Sequence, residues 1–190
     1  MKNFRRILIV TVILLSILSK IFIGEICTVP TPSMEPTINS GDCMWIDKIT
    51  YGARFPQRWG DIPVINIFTW IKPLRVADEK NNWRYLRVWR IKEPQIGDMV
   101  VFNSPNDNNI LLVKRITKIN SNTINLHGQK QKVYFVEGDN KDNSIDSRSF
   151  GYISESSIVG KVNRVLFSID HSDKSFFNFR KDRFFKKIKN

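Results

Sequence analysis

Histidine is nearly missing from this chain of 190 residues: there are two, His127 in an Asn-Leu-His-Gly-Gln turn and His171 in a polar stretch. Both read as surface residues and make poor triad members, so any nucleophile here needs a different base. Cysteine is as scarce. Cys27 and Cys43 cannot build a disulfide framework, and their spacing matches no zinc site. They could pair in an oxidising compartment, but their apolar contexts favour two unpaired thiols. Acidic residues are few as well, 18 against 30 Lys and Arg, which leaves a formal net charge of +12. That excess suits either nucleic acid or an anionic membrane surface, and its distribution has to decide between them. No metal and no organic cofactor is implied.

There is one long apolar run. After Met-Lys-Asn-Phe-Arg-Arg, residues 7–23 are interrupted only by Thr11, Ser16, Ser19 and Lys20. As a helix these 17 residues span about 26 Å, enough for a bilayer core if Lys20 snorkels to the far interface. Lys2, Arg5 and Arg6 precede the run, and after Lys20 no Lys or Arg appears until Lys48. The positive-inside rule then puts the N-terminus in the cytoplasm and the remainder on the exported side. A cleaved secretory signal is the competing reading, but Ile-Phe-Ile-Gly-Glu-Ile-Cys offers no good small-residue cleavage site. The expected organisation is a cytoplasmic tip and transmembrane anchor over 1–24, one β domain over 25–170 with an insertion at about 50–96, and a basic tail over 171–190.

Residues 30–37, Pro-Thr-Pro-Ser-Met-Glu-Pro-Thr, set Ser33 between two prolines close behind the anchor. Pro32 and Pro36 favour an extended or turning segment that presents the serine rather than burying it in a helical face. This reads either as a proline-rich linker or as the setting of a nucleophile. About ten extended residues keep Ser33 within roughly 33 Å of the membrane.

Farther along, residues 43–49 read as a mostly buried strand. Between 50 and 96, Pro56, Gly60, Pro63 and Pro73 break an apolar cluster rich in tryptophan, which suits either a membrane interface or an irregular core segment. Residues 99–103 and 110–119 read as a hairpin. Alternation along its second strand puts Ile110, Leu112, Lys114 and Ile116 on one face. Lys114 thus either snorkels to water or is held inside as a neutral amine. The second option has a chemical use, because desolvation that brings a lysine from about 10.4 to about 8 leaves enough neutral amine to deprotonate a serine.

A third piece, residues 138–151, reads Gly-Asp-Asn-Lys-Asp-Asn-Ser-Ile-Asp-Ser-Arg-Ser-Phe-Gly. As a calcium loop it lacks the glycine and glutamate that an EF-hand needs. It could be a long polar turn, or it could bring a serine to the lysine amine with Asp146 and Arg148 paired to stiffen it.

Ser-Met-Glu-Pro-Thr at 33–37, Gly-Asp-x-Val-Val-Phe at 97–102, Val-Lys-Arg at 113–115 and the 138–151 box, in this order behind an apolar run, resemble the ordered boxes of bacterial type I signal peptidases. The resemblance covers roughly residues 7–167. It implies a mostly β, membrane-anchored serine endopeptidase of the cytoplasmic membrane, with its catalytic domain on the exported side, that removes signal peptides from preproteins. It makes Ser33 the nucleophile and Lys114 the general base. The Ser33 N–H and the Thr31 side chain would form the oxyanion hole. Ser144 would orient the amine, and Asp146, Arg148 and Arg115 would form a supporting ion-pair set. Val29, Pro30, Met34, Ile38, Leu112 and Val113 would line the pocket for small side chains. The chain departs from the family after Val-Lys-Arg: only 23 residues separate Lys114 from Gly138, so the accessory β domain of many members is missing or vestigial.

The tail from His171 onward is basic, and Phe177, Phe184 and Ile188 can align on one helical face. This suits an anionic membrane surface or a solvated helix packed weakly on the domain. Nucleic acid is not an expected partner, since no groove-reading motif appears in a chain expected to be exported. The expected partners are preprotein signal peptides and the lipid bilayer, with the enzyme monomeric. Two other functions use the same residues: a Ser/Lys peptidase dedicated to one secretion-system or pilin substrate, and a non-catalytic binding protein of the same fold.

Overall fold

The computed structural model describes residues 2–81, 83, 85–107, 110–126, 129–170 and 178–188. His127 and His171 lie outside them. Seven strands carry the fold: β1 (Gly24–Thr28), β2 (Asp42–Asp47), β3 (Met99–Asn103), β4 (Leu111–Leu126), β5 (Gln129–Glu137), β6 (Ile153–Ser154) and β7 (Ile158–Ser168). They form one antiparallel sheet in the order β1-β2-β7-β3-β4-β5-β6. The mostly β expectation holds, and so does the hairpin, with Val100 opposite Lys114. β4 and β5 follow one another directly, where larger relatives of the resembled family were expected to carry an accessory domain.

The sheet is buried on both faces, which is why β3 is apolar without alternation. Met99 and Val101 point into a cluster with Val29, Met34, Ile38, Met44, Ile46 and Val165. Val100 and Phe102 point the other way, into a cluster with Tyr51, Ile116, Tyr134 and Ile158. Asp98, just before β3, is buried and tied to three separate segments. It accepts from Tyr51 Oη at 2.6 Å, from Lys161 Nζ at 2.5 Å and from the Gln95 N–H at 3.0 Å. Burial alone would raise its pKa, but the hydrogen bonds from Lys161 and Tyr51 hold it below the usual carboxylate value.

The N-terminal helix α1 (Lys2–Phe22) forms where the apolar run predicts it. Among the described residues no helix is long and apolar enough to cross a membrane. In α1 the charge-free stretch between Arg6 and Lys20 is 13 residues, about 20 Å of helix. A bilayer-spanning helix is therefore not borne out by length and apolarity alone. Ile7 to Leu15 are nonetheless exposed throughout. α1 passes into β1 through Gly24, where any Cβ would lie 2.3 Å from the Ile46 carbonyl oxygen, so only glycine fits.

The insertion forms short turns and one helix, α2 (Lys72–Glu79). Its tryptophans do not make an ordinary core segment: Trp70 is 86% and Trp89 94% exposed. The segment docks beside the end of α1, where the Phe22 and Phe55 rings meet edge to face at 5.3 Å.

The tail corrects the sequence reading. Residues 178–188 contain no amphipathic helix. They form bridges from Phe179 to Ile169 and from Lys187 to Arg164, with a single tight turn at Lys181–Arg183. Ile188 is buried in the first cluster instead of lining an exposed face with Phe184. Phe177 lies outside the described residues. What holds the tail is a buried ion pair. Arg183 donates to both oxygens of Asp42, with Nε at 2.8 Å from Oδ1, and also to the Thr37 carbonyl at 3.1 Å. Arg183→Ala leaves the Asp42 carboxylate buried and unpaired, so we expect a loss of about 3–5 kcal/mol. In thermal unfolding this lowers Tm by roughly 10 °C, and Asp42→Asn in the same chain should restore part of it.

Candidate active site

Ser33 sits in the tight turn Pro32–Met34. This is a short helical turn rather than extended chain, and Pro32 fits there because the first helical position needs no N–H. Met34, fully buried in the first cluster, roots the turn. Lys114 reaches it from β4. The lysine is 3% exposed, so it is held inside and does not snorkel, and its Nζ donates to Ser33 Oγ at 2.6 Å. Burial pushes the amine below the usual lysine value, although the charges of Asp146 and Asp139 pull the other way. Once the amine is neutral, the same contact lets the serine hydroxyl donate to nitrogen. Thr31 Oγ1 lies 3.5 Å from Ser33 Oγ.

The 138–151 loop clamps the serine turn by its backbone. The Asn140 N–H donates to the Ser33 carbonyl at 3.1 Å, and Asn140 Nδ2 donates to the Pro32 carbonyl at 3.2 Å. Asp146 then holds the loop. It accepts from the Gly138 N–H at 2.9 Å and from the Arg148 fork at 2.9 Å on each oxygen, and it caps α3 (Ser147–Phe150) through the Arg148 N–H. Burial would raise the Asp146 pKa, but the Arg148 guanidinium and the Gly138 N–H hold it far below the usual carboxylate range. The expected Asp146–Arg148 pairing is thus present.

Two expectations need correction. Arg115 does not join Asp146 and Arg148. It forms a second, two-pronged pair with Asp139, at 2.8 and 2.7 Å, and donates to the Gly97 carbonyl at 2.9 Å. β4 carries Arg115 on the side opposite Lys114, so it meets the start of the loop instead of its middle. Ser144 Oγ is buried beside Gly138 and is not bonded to Lys114, whose amine is turned to Ser33; its hydroxyl lies near enough to Asp146 to help hold that carboxylate's pKa down.

The six pocket positions divide. Val29, Met34, Ile38 and Val113 share the first apolar cluster, Leu112 packs on the second, and Pro30 is exposed. Cys27 and Cys43 are both free thiols on adjacent strands, and burial pushes Cys27 up. Sequence reading missed Asp139, Asn140 and Gly138 as working residues. They stand at the head of the 138–151 box, but nothing local shows that Asn140 reaches back over a hundred residues to the serine backbone.

The chain is similar to known proteins over most of its length. The profile described as "Signal peptidase, peptidase S26" matches residues 2–133 and 122–167. A signal peptidase I of Bacillus amyloliquefaciens is 30% identical over 176 residues, covering 84% of this chain and 82% of the relative. One of Rickettsia felis is 32% identical over 148 residues, covering 77% and 46%, and one of Pseudomonas aeruginosa 29% over 138 residues, covering 73% and 37%. The chain thus spans little more than a third of the length of the Pseudomonas relatives. The match ends near residue 167, so the strap formed by 178–188 lies beyond it. With nearly all of the sheet and both halves of the Ser33–Lys114 pair inside the matched region, this chain belongs to the signal peptidase family, peptidase S26.

Proposed function

We propose that this chain is a membrane-anchored serine endopeptidase that removes N-terminal signal peptides from exported preproteins. The observation that carries the reading is a buried lysine amine 2.6 Å from a serine hydroxyl, in a chain of this family. Neutral Lys114 takes the Ser33 proton, and Ser33 Oγ attacks the carbonyl before the scissile bond. The Ser33 N–H and Thr31 Oγ1 stabilise the oxyanion, at about 3 kcal/mol for each such donor. The ammonium gives its proton to the leaving amine, and water then hydrolyses the acyl-enzyme by the same steps in reverse.

The substrate joins as a strand. Among the described residues β1 is paired on one side only, and the 111–114 stretch of β4 pairs with β3 alone, since β4 meets β5 only from Arg115 onward. These two free edges run toward Ser33 and Lys114 and offer backbone groups to an extended peptide. Val29, Met34, Ile38 and Val113 would then bound shallow pockets that admit small side chains and exclude large ones.

α1 anchors the enzyme. Its exposed apolar side chains lie in lipid, with Arg5 and Arg6 at the cytoplasmic interface and Lys20, half-exposed, snorkelling at the other. The test is incubation of a preprotein carrying an Ala-x-Ala site with the full chain in detergent or lipid. Cleavage after that site supports the reading; an intact preprotein, with the protein folded, sinks it.

A further inference from the structure

We propose that a cavity between the end of α1 and the insertion binds the phosphate of an anionic phospholipid headgroup. The cavity has a volume of about 340 Å³, within the range of small-ligand pockets of about 300–1,000 Å³. Four cationic side chains line it, Lys20, Lys48, Arg54 and Arg58, against two carboxylates, Glu25 and Asp61, which leaves an excess of two positive charges.

Lys48, Arg54 and Arg58 are built in rather than scattered on a surface, and the half-exposed Lys20 side chain lies 3.9 Å from Glu25. Lys48 donates to the Lys20 carbonyl at 2.9 Å and pairs with Glu25 at 3.1 Å. Arg58 pairs with Asp61 at 3.2 Å. Arg54 donates to the Ser156 carbonyl and to Asn103 Oδ1, each at 2.8 Å. Burial pushes the Lys48 amine down in spite of Glu25, and burial together with the neighbouring Arg87 pushes the Arg54 guanidinium down to about 10. A phosphate placed among them relieves both effects, because the carboxylates present do not balance the charge.

Position identifies the source of the phosphate. The cavity opens where α1 ends, at the level where a lipid-embedded helix meets headgroups, so the inference rests on the anchoring proposed above. Ile21 and Phe55 also line it, and Phe55 is packed on Phe22, so the cationic chamber has an apolar side continuous with the helix. Beyond it the insertion exposes Ile67, Phe68, Trp70 and Ile71. An anionic head and apolar tails match that pairing better than a free anion does.

The experiment titrates the full-length Ser33→Ala protein, in neutral detergent, with short-chain phosphatidylglycerol, short-chain phosphatidylcholine and inorganic phosphate, followed by calorimetry. Using the inactive variant separates this result from the peptidase reading. Phosphatidylglycerol is expected to bind at least tenfold more tightly than phosphatidylcholine. The R58Q/K20Q pair is expected to weaken it about tenfold, while Arg75→Gln, which removes a charge outside the cavity, leaves it within twofold. Glu25→Gln raises the positive excess and is expected to tighten binding, which keeps a readout if R58Q/K20Q melts early. Inorganic phosphate binding as well as phosphatidylglycerol would keep the anion site but move its source to solution. Equal binding of the two lipids overturns the proposal. So does an R58Q/K20Q pair that binds normally yet, with Ser33 restored, alters cleavage of substrates charged upstream of the cut, which would make the cavity a peptide subsite.

Discussion

Lys114→Met is expected to reduce preprotein cleavage about 10⁴-fold, to background, without unfolding the protein. Methionine fills the volume of the buried side chain but cannot take the Ser33 proton. Ser33→Ala should fall equally far, and the double variant no farther, because the two groups act as one unit. The lysine variant carries a second signature. Burial lowers the Lys114 pKa below the ordinary 10.5, so the folded state holds this proton less tightly than the unfolded chain. Stability is then reduced at all pH values below the folded pKa and recovers as pH rises from that value toward 10.5. Lys114→Met removes the cost, so the variant should melt at or above the wild-type temperature at neutral pH, with the gap closing in alkali. In wild type, kcat/KM should rise with pH through the lowered lysine pKa. A methionine variant that cuts within tenfold of wild type would sink the dyad.

The dyad was legible because both partners sit in short contexts with local meaning. Pro32 and Pro36 exclude a continuous helix around Ser33, and strand alternation places Lys114 among apolar neighbours. The β3–β4 hairpin was legible for the same reason. What escaped was set by contacts distant in sequence. Arg115 and Arg148 are both near candidate carboxylates in the 138–151 box, and only the pairing of β4 with β5 decides that Arg115 meets Asp139. The tail reads as an amphipathic helix because its apolar residues recur at helical spacing. Asp42, more than a hundred residues earlier, captures Arg183 and pulls the segment flat onto β7. Local periodicity is a weak signal against a buried charge that has to be paired.

Gly138→Ala should lower kcat about 100-fold with a smaller change in KM. A Cβ at this position would stand 2.2 Å from Ser144 Oγ, 2.6 Å from Ser144 Cβ and 2.5 Å from the Ser33 carbonyl oxygen. The two clashes differ in what they force. The Ser144 contact is with a side chain, and it disappears if that side chain is removed. The Ser33 carbonyl is backbone, held by the Asn140 N–H, and it moves only if the whole turn moves. A displacement of about 1 Å at a reacting group costs on the order of 100-fold, because the Ser33–Lys114 contact and the oxyanion donors are lost together. Overpacking should also cost about 1–3 kcal/mol in stability, well short of unfolding. Comparing G138A/S144G with Ser144→Gly isolates the cause. Removing the whole Ser144 side chain relieves one clash and leaves the other, so the double variant should stay far below Ser144→Gly in kcat. If the two cleave alike, Gly138 is needed only to make room for Ser144, and the close approach of the 138–151 loop to the nucleophile's backbone is not what holds Ser33 in place.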